Sequence, residues 1–119
     1  MDADEYVERV LSIVESIPHG RVMSYGAIAD AVGAGGPRQV GWVLARYGGP
    51  VPWWRVVRSD GSPPTGHEGE AGSLLRQEST PLCRTRDATV RVDMAEAHWW
   101  PEEPPPLPEP KTARQRLDW

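Results

Sequence analysis

The chain has 119 residues, a quarter of them charged, and a single cysteine. That length allows one domain with a modest core, and a lone cysteine excludes an internal disulfide. No stretch is long and apolar enough to span a bilayer and no signal-peptide pattern precedes the first predicted helix, so a cytoplasmic protein is expected, nucleoid-associated in a prokaryote. The net charge of −4 excludes attraction to a polyanion through overall charge alone.

Residues 4–17 carry Val7, Val10, Leu11, Val14 and Ile17 at helical spacing, which predicts an amphipathic helix stopped by Pro18 and Gly20. Its acidic first turn suits the positive end of the helix dipole. A short second helix is expected from Ser24 as N-cap, burying Ile28, Ala31 and Val32. Gly33-Ala34-Gly35-Gly36 makes a turn. Pro37 then opens a third helix that runs to about Tyr47, with Val40, Val43, Leu44 and Tyr47 as its core stripe. Two short helices across a glycine-rich turn suggest a helix-turn-helix, with residues 37–47 as the recognition helix. The opposite face of that helix carries Arg38, Gly41, Trp42, Ala45 and Arg46. Small residues four apart let a helix backbone approach a duplex closely, and they serve equally to pack against another part of the protein.

Charge follows the same division. Residues 1–18 carry a net −4 and residues 19–58 a net +4, so the segment with the predicted helix-turn-helix is the basic one. Phosphate contact depends on such a local field. Further on, Arg55-Val56-Val57-Arg58 reads as a short strand and Asp60-Gly61 as a turn, which together predict a hairpin or wing over 55–65. Residues 71–79 read as a short helix burying Leu74 and Leu75, and 89–93 alternate like one more strand. Residues 101–119 begin proline-rich and are expected to form a flexible tail, extended and polyproline-like or disordered, outside a domain spanning 1–100. The expected fold is mainly α with a small β hairpin, a winged helix-turn-helix.

One segment narrows the function. Val51-Pro52-Trp53-Trp54-Arg55-Val56-Val57 resembles the active-site segment of the O6-alkylguanine-DNA alkyltransferases, which reads Pro-Cys-His-Arg-Val with the cysteine as alkyl acceptor. His19-Gly20-Arg21-Val22-Met23-Ser24-Tyr25-Gly26 is similar to the family's Gly-x-Val-x-Ser-Tyr entry into its helix-turn-helix. Arg38-Gln39-Val40-Gly41 matches its Arg-x-Val-Gly, and Leu74-Leu75-Arg76-Gln77-Glu78 looks like its final helix. The blocks occur in order over roughly residues 5 to 80. With Trp53 at the acceptor position, the pattern resembles the alkyltransferase-like proteins, which keep the DNA-binding machinery and carry tryptophan in place of the cysteine. The resemblance implies the fold of the alkyltransferase C-terminal domain.

It also implies roles. Tyr25 would stand beside the phosphate of a flipped nucleotide and help drive its rotation. Arg38 would enter the stack as a plug, a task that suits a planar guanidinium able to stack and to pair with an orphaned base. Gly41, Trp42 and Ala45 would lie on the DNA-facing side of the recognition helix. Trp53 would wall the pocket, and Arg55 would tie the pocket segment to neighbouring backbone. Without the resemblance, Tyr25 reads as a partly buried tyrosine, Arg38 as a solvated arginine and Trp53 as core. Trp54 departs from the pattern: the enzymes and most alkyltransferase-like proteins carry histidine there, and in the enzymes that histidine, a water and a glutamate at the position of Glu78 activate the cysteine. Gly48-Gly49-Pro50 stands in place of the family's hinge asparagine. Gly66-His67-Glu68-Gly69 loosely matches a loop that contacts the flipped guanine.

The expected function is therefore recognition of O6-alkylguanine in double-stranded DNA by a monomer, with base flipping but no removal of the alkyl group, and hand-over to nucleotide excision repair. No catalytic residue, metal or cofactor is expected. His19, His67 and His98 have no metal-ligand spacing with Cys83. Two alternatives stay open: a winged-helix transcription regulator reading sequence in the major groove, and an enzyme using Cys83, whose neighbours Arg84 and Arg86 could favour a thiolate.

Overall fold

The structure, a computed structural model, describes residues 1–83, 85 and 89–101. The expected tail falls, from residue 102 onward, outside the described residues, as do Arg84 and Arg86. Helix α1 spans Ala3–Ser16 and is capped by Asp2, whose carboxylate accepts from the Glu5 N–H at 2.8 Å. Strand β1 is Met23–Ser24. Ser24 also caps helix α2, Tyr25–Val32, accepting from the Ala27 N–H at 3.0 Å. Helix α3, Pro37–Tyr47, opens with the proline as expected.

The turn between α2 and α3 is built on glycine for a specific reason. Gly35 has φ +72°, and a Cβ there would meet the Tyr6 hydroxyl of α1 at 2.5 Å. The backbone conformation therefore favours glycine, and any side chain there would also have to displace the Tyr6 ring. The three helices enclose the main core. Val10 and Val14 of α1, Ile28 of α2 and Val40 and Val43 of α3 are fully buried in it, closed by Ile17, Met23, Val51 and Val56. Tyr47 does not join this stripe. It lies in the last turn of α3, past the edge of the core, 46% exposed, and packs edge-on against Trp42 instead.

The β structure differs in detail from a hairpin. A 3-10 turn, Trp53–Arg55, leads into strand β2, Val56–Val57, which pairs parallel to β1 in the register Met23↔Val56 and Ser24↔Val57. The Asp60-Gly61 turn forms, with Gly61 N–H donating to the Arg58 carbonyl at 2.8 Å. No strand returns across it among the described residues: β2 finds its partner upstream, beside the main core. The Gly61 carbonyl accepts from Val92 N–H at 2.8 Å, so this turn docks on the later segment. Residues 89–93, expected as a strand, contribute only an isolated antiparallel bridge between Val92 and Leu82. Asp93 then caps a short helix, α5 (Met94–Ala97), after which His98 bridges to Val22 on the far side of β1.

Helix α4 runs from Glu68 to Gln77, starting three residues before the expected position. Its Leu75 is buried with Val22, Val57, Val92 and Ala97 in a second, smaller core. None of the described helices is long and apolar enough to cross a membrane.

Candidate nucleic-acid interface

A cleft of ≈ 470 Å³ opens between α3, the loop after it, and the loop leading into α4. Tyr25, Gly41, Ala45, Trp53, Thr65 and His67 are among its lining residues. It adjoins a wider depression that shares Tyr25 and Gly41 and adds Arg38 and Arg58. Tyr25 is thus the hinge of the site. It sits at the first position of α2, half-buried, and burial raises its phenol above the ordinary value while the nearby Arg58 charge opposes that rise. At neutral pH it presents a neutral O–H donor.

The floor is formed by the small residues of α3. A Cβ on Gly41 would stand 3.9 Å from the Tyr25 ring, an ordinary contact. The glycine is therefore not demanded by the fold, and its effect is to leave the floor open. Ala45, one turn on, is exposed along the same face. Arg38 is exposed in the first turn of α3 and makes no hydrogen bond or ion pair among the described residues, so its guanidinium is free to extend. Arg58 reaches across the depression to the Thr65 hydroxyl at 3.4 Å. Trp42 lies elsewhere. Its ring, 49% exposed, is stacked under Arg46 at 4.9 Å and borders a separate groove with Tyr6 and Gln39. It flanks the cleft without lining it.

Successive residues of a 3-10 turn point about 120° apart, and that geometry separates the three side chains after Pro52. Trp53 faces the cleft, with its ring centroid 5.6 Å from that of His67 and 5.9 Å from that of Trp54. Trp54 turns inward onto the second core. Arg55 is buried at 7% exposure, donating to both carboxylate oxygens of Glu78 and, through Nη1, to the Ile17 carbonyl at 2.8 Å. Of the expected site residues, Trp54 and Arg55 are therefore behind the cleft, and Arg55 holds the wall segment rather than facing solvent. Burial pushes the Glu78 carboxyl up, but hydrogen bonds from Arg55, with the charges of Arg55 and His19, outweigh it and hold the group below its ordinary range.

The sequence matched Glu78 only to the position of the enzymes' activating glutamate and did not reveal this pairing, because residues 55 and 78 meet only through the packing of α4 on the 3-10 turn. His67 was visible only as part of a loose loop match; its position just before an acidic helix start was the available signal. Cys83 is half-buried, with its Sγ 3.7 Å from the Val92 carbonyl, and does not line the cleft. Among the described residues no group of His, Cys, Asp and Glu is arranged to hold a metal.

A helix-turn-helix whose second helix presents small residues and an exposed arginine beside an aromatic-walled cleft defines a nucleic-acid-binding module with a pocket beside its second helix. The family model of the 6-O-methylguanine DNA methyltransferase DNA-binding domain matches residues 5–80, and the chain belongs to that family. It is 31% identical over 108 residues to alkyltransferase-like protein 1 of Schizosaccharomyces pombe, covering 85% of this chain and all of that one. The fold superimposes on the crystal structure of S. pombe Atl1 in complex with damaged DNA containing O6-carboxymethylguanine with a TM-score of 0.75, at 30% identity over 85% of this chain and 100% of that one. A DNA base-flipping protein of Escherichia coli is 44% identical over 62 residues, half of this chain and 48% of that protein. The chain spans a third to about a half of the length of the methyltransferase and base-flipping relatives it matches first.

Proposed function

We propose that this protein reads O6-alkylguanine in double-stranded DNA by turning the base into the Trp53 cleft, and that it holds the lesion without removing the alkyl group. The observation that supports this reading is that Trp53, which the motif resemblance sets at the enzymes' acceptor position, forms part of the cleft wall. Dealkylation by transfer requires a nucleophile at the alkyl carbon, and an indole ring offers a stacking surface in its place. Cys83 lies outside the cleft lining. Glu78, engaged by Arg55 on both oxygens, is not free to relay a proton.

The rest of the site fits base flipping, which has to unstack a nucleotide, fill the gap and receive the base. Open floor at Gly41 and Ala45 permits close approach of α3 to a groove. Arg38 is unconstrained and long enough to enter the stack, Tyr25 offers a hydroxyl beside it, and stacking of a base on Trp53 contributes about 1–3 kcal/mol. Reading sequence in the major groove needs donors and acceptors along the exposed helix face. Where α3 floors the cleft it offers Gly41 and Ala45, whose side chains have none, and Trp42 beside them adds a single indole N–H on a ring stacked under Arg46, so lesion reading is favoured over a transcription regulator. A protein that retains the alkyl group must pass the lesion to an excision activity, and nucleotide excision repair is the partner class proposed.

Intact-mass measurement after incubation with duplex carrying O6-methylguanine tests this directly. Unchanged protein mass and recovered alkylated strand are expected. A stoichiometric gain of one methyl group would overturn the reading.

A further inference from the structure

Helix α3 has two flanks, and only one of them faces the cleft. At about 100° per residue, Gly41 lies about 60° to one side of Arg38 on the helix surface, and Trp42 and Arg46 lie about 40° and about 80° to the other. The cleft takes its lining from the first side, through Gly41, Leu44 and Ala45, whereas Gln39 and Trp42 border a separate groove on the second. Arg38 stands between the two, in the depression that adjoins the cleft.

On the far flank the Arg46 guanidinium is stacked over the Trp42 ring at 4.9 Å, and Tyr47 meets that ring edge-on at 6.2 Å. These contacts hold the indole without burying it, for all three residues are exposed. Arg46 makes no hydrogen bond or ion pair among the described residues, so its N–H donors remain available. The pair combines an apolar face for a sugar ring with a planar fork for a phosphate.

A helix presented to a DNA groove has one strand on either side. The flipped base enters on the cleft flank, so the lesion strand runs there and the complementary strand passes the Trp42 flank. The pair is continuous with Arg38 along one helix, and its charge suits a polyanion. We infer that Trp42 and Arg46 form a binding site for the sugar-phosphate backbone of the undamaged, complementary strand, an assignment that rests on the lesion reading above. Because that strand is not flipped, the site acts on lesion and plain duplex alike.

The test titrates the wild type, Trp42→Ala, Trp42→Phe and Arg46→Gln with matched guanine and O6-methylguanine duplexes at several salt concentrations, with thermal unfolding as a fold control. Uncharged methylphosphonate links are then placed singly along each strand. Trp42→Ala should lower both affinities by about three- to tenfold, the scale of one aromatic packing contact, and Trp42→Phe should recover most of that loss. Arg46→Gln should reduce the slope of log affinity against log salt by about one. One methylphosphonate in the complementary strand should weaken the wild type and leave Arg46→Gln no weaker than on the all-phosphate duplex. Wild-type affinity in folded Trp42→Ala, a wild-type salt slope in Arg46→Gln, or a matching position in the lesion strand instead, overturns the strand contact while leaving lesion reading intact. So does free protein that sediments as a dimer in the wild type and as a monomer in Trp42→Ala, since the ring then belongs to a second copy of the chain. Equal wild-type affinity for the two duplexes overturns lesion reading itself, and this assignment with it.

Discussion

Arg55 grips Glu78 through two nitrogens, Nε donating to Oε1 at 2.9 Å and Nη2 to Oε2, while its third, Nη1, reaches the Ile17 carbonyl at the end of α1. The 3-10 turn that carries Trp53 is thereby held between α1 and α4. The orientation of the cleft wall is set by a buried ion pair as well as by packing.

Breaking that pair from one side leaves a charge without its partner. Arg55→Ala should therefore destabilise the protein by about 3–5 kcal/mol in denaturant unfolding; a loss below ~1 kcal/mol would show that the pair is not a strut. The pH dependence has a definite sign. Glu78 is held below its ordinary value of 4.5, so its stabilising contribution is present above that value and is lost as the pH falls through the lower, folded-state value. Glu78→Gln should accordingly be less stable than wild type near neutrality, with the gap narrowing in acid. A gap that stays constant down to pH 3 would contradict the assignment.

Arg38 makes no hydrogen bond or ion pair among the described residues that a substitution would remove. Arg38→Ala should leave the unfolding midpoint unchanged and weaken binding to lesion and plain duplex alike by about 1–3 kcal/mol, the scale of stacking and base contacts. Fluorescence anisotropy titrations would measure both. Wild-type affinity of Arg38→Ala for lesion duplex would remove it from the interface.

Trp53 should behave differently, because it is reached only by a base that has left the stack. Trp53→Ala should lower the ratio of lesion to plain-duplex affinity, whereas raising the salt concentration should weaken both and change that ratio less. Truncating a half-buried indole also removes packing, so circular dichroism and thermal unfolding must first establish that the variant is folded. An unchanged ratio in a folded variant would make Trp53 a core residue.

Much of this was legible before the structure. Helix periods, the Ser24 cap, Pro37 and the glycine turn locate α1 to α3 closely, since local chemistry dictates them. The family motifs and the face of the predicted third helix singled out Tyr25, Arg38, Gly41, Ala45 and Trp53, which line the cleft or the depression beside it, whereas Trp42, Trp54 and Arg55, singled out with them, do not. What sequence could not supply were relationships between distant segments. Val56-Val57 has the composition of a hairpin strand, but nothing local says that its partner is Met23-Ser24, parallel and upstream. Val92 alternates like a strand residue, yet it is buried through one bridge and one bond to Gly61. Tyr47 fits the helical stripe but lies where the core has ended. Trp53 and Trp54 are indistinguishable by type, and only the 3-10 geometry sends one to the cleft and the other inward.

The central claim is that this surface recognises an alkylated guanine rather than DNA in general. Equilibrium titration of the wild-type chain with two duplexes of identical sequence, one with a single O6-methylguanine and one with guanine, tests it most directly when repeated on a scrambled sequence at the same salt. The account predicts tighter binding to the alkylated duplex, by a factor independent of the surrounding sequence. Equal affinity for both duplexes, or a preference that follows the sequence instead of the lesion, would contradict it.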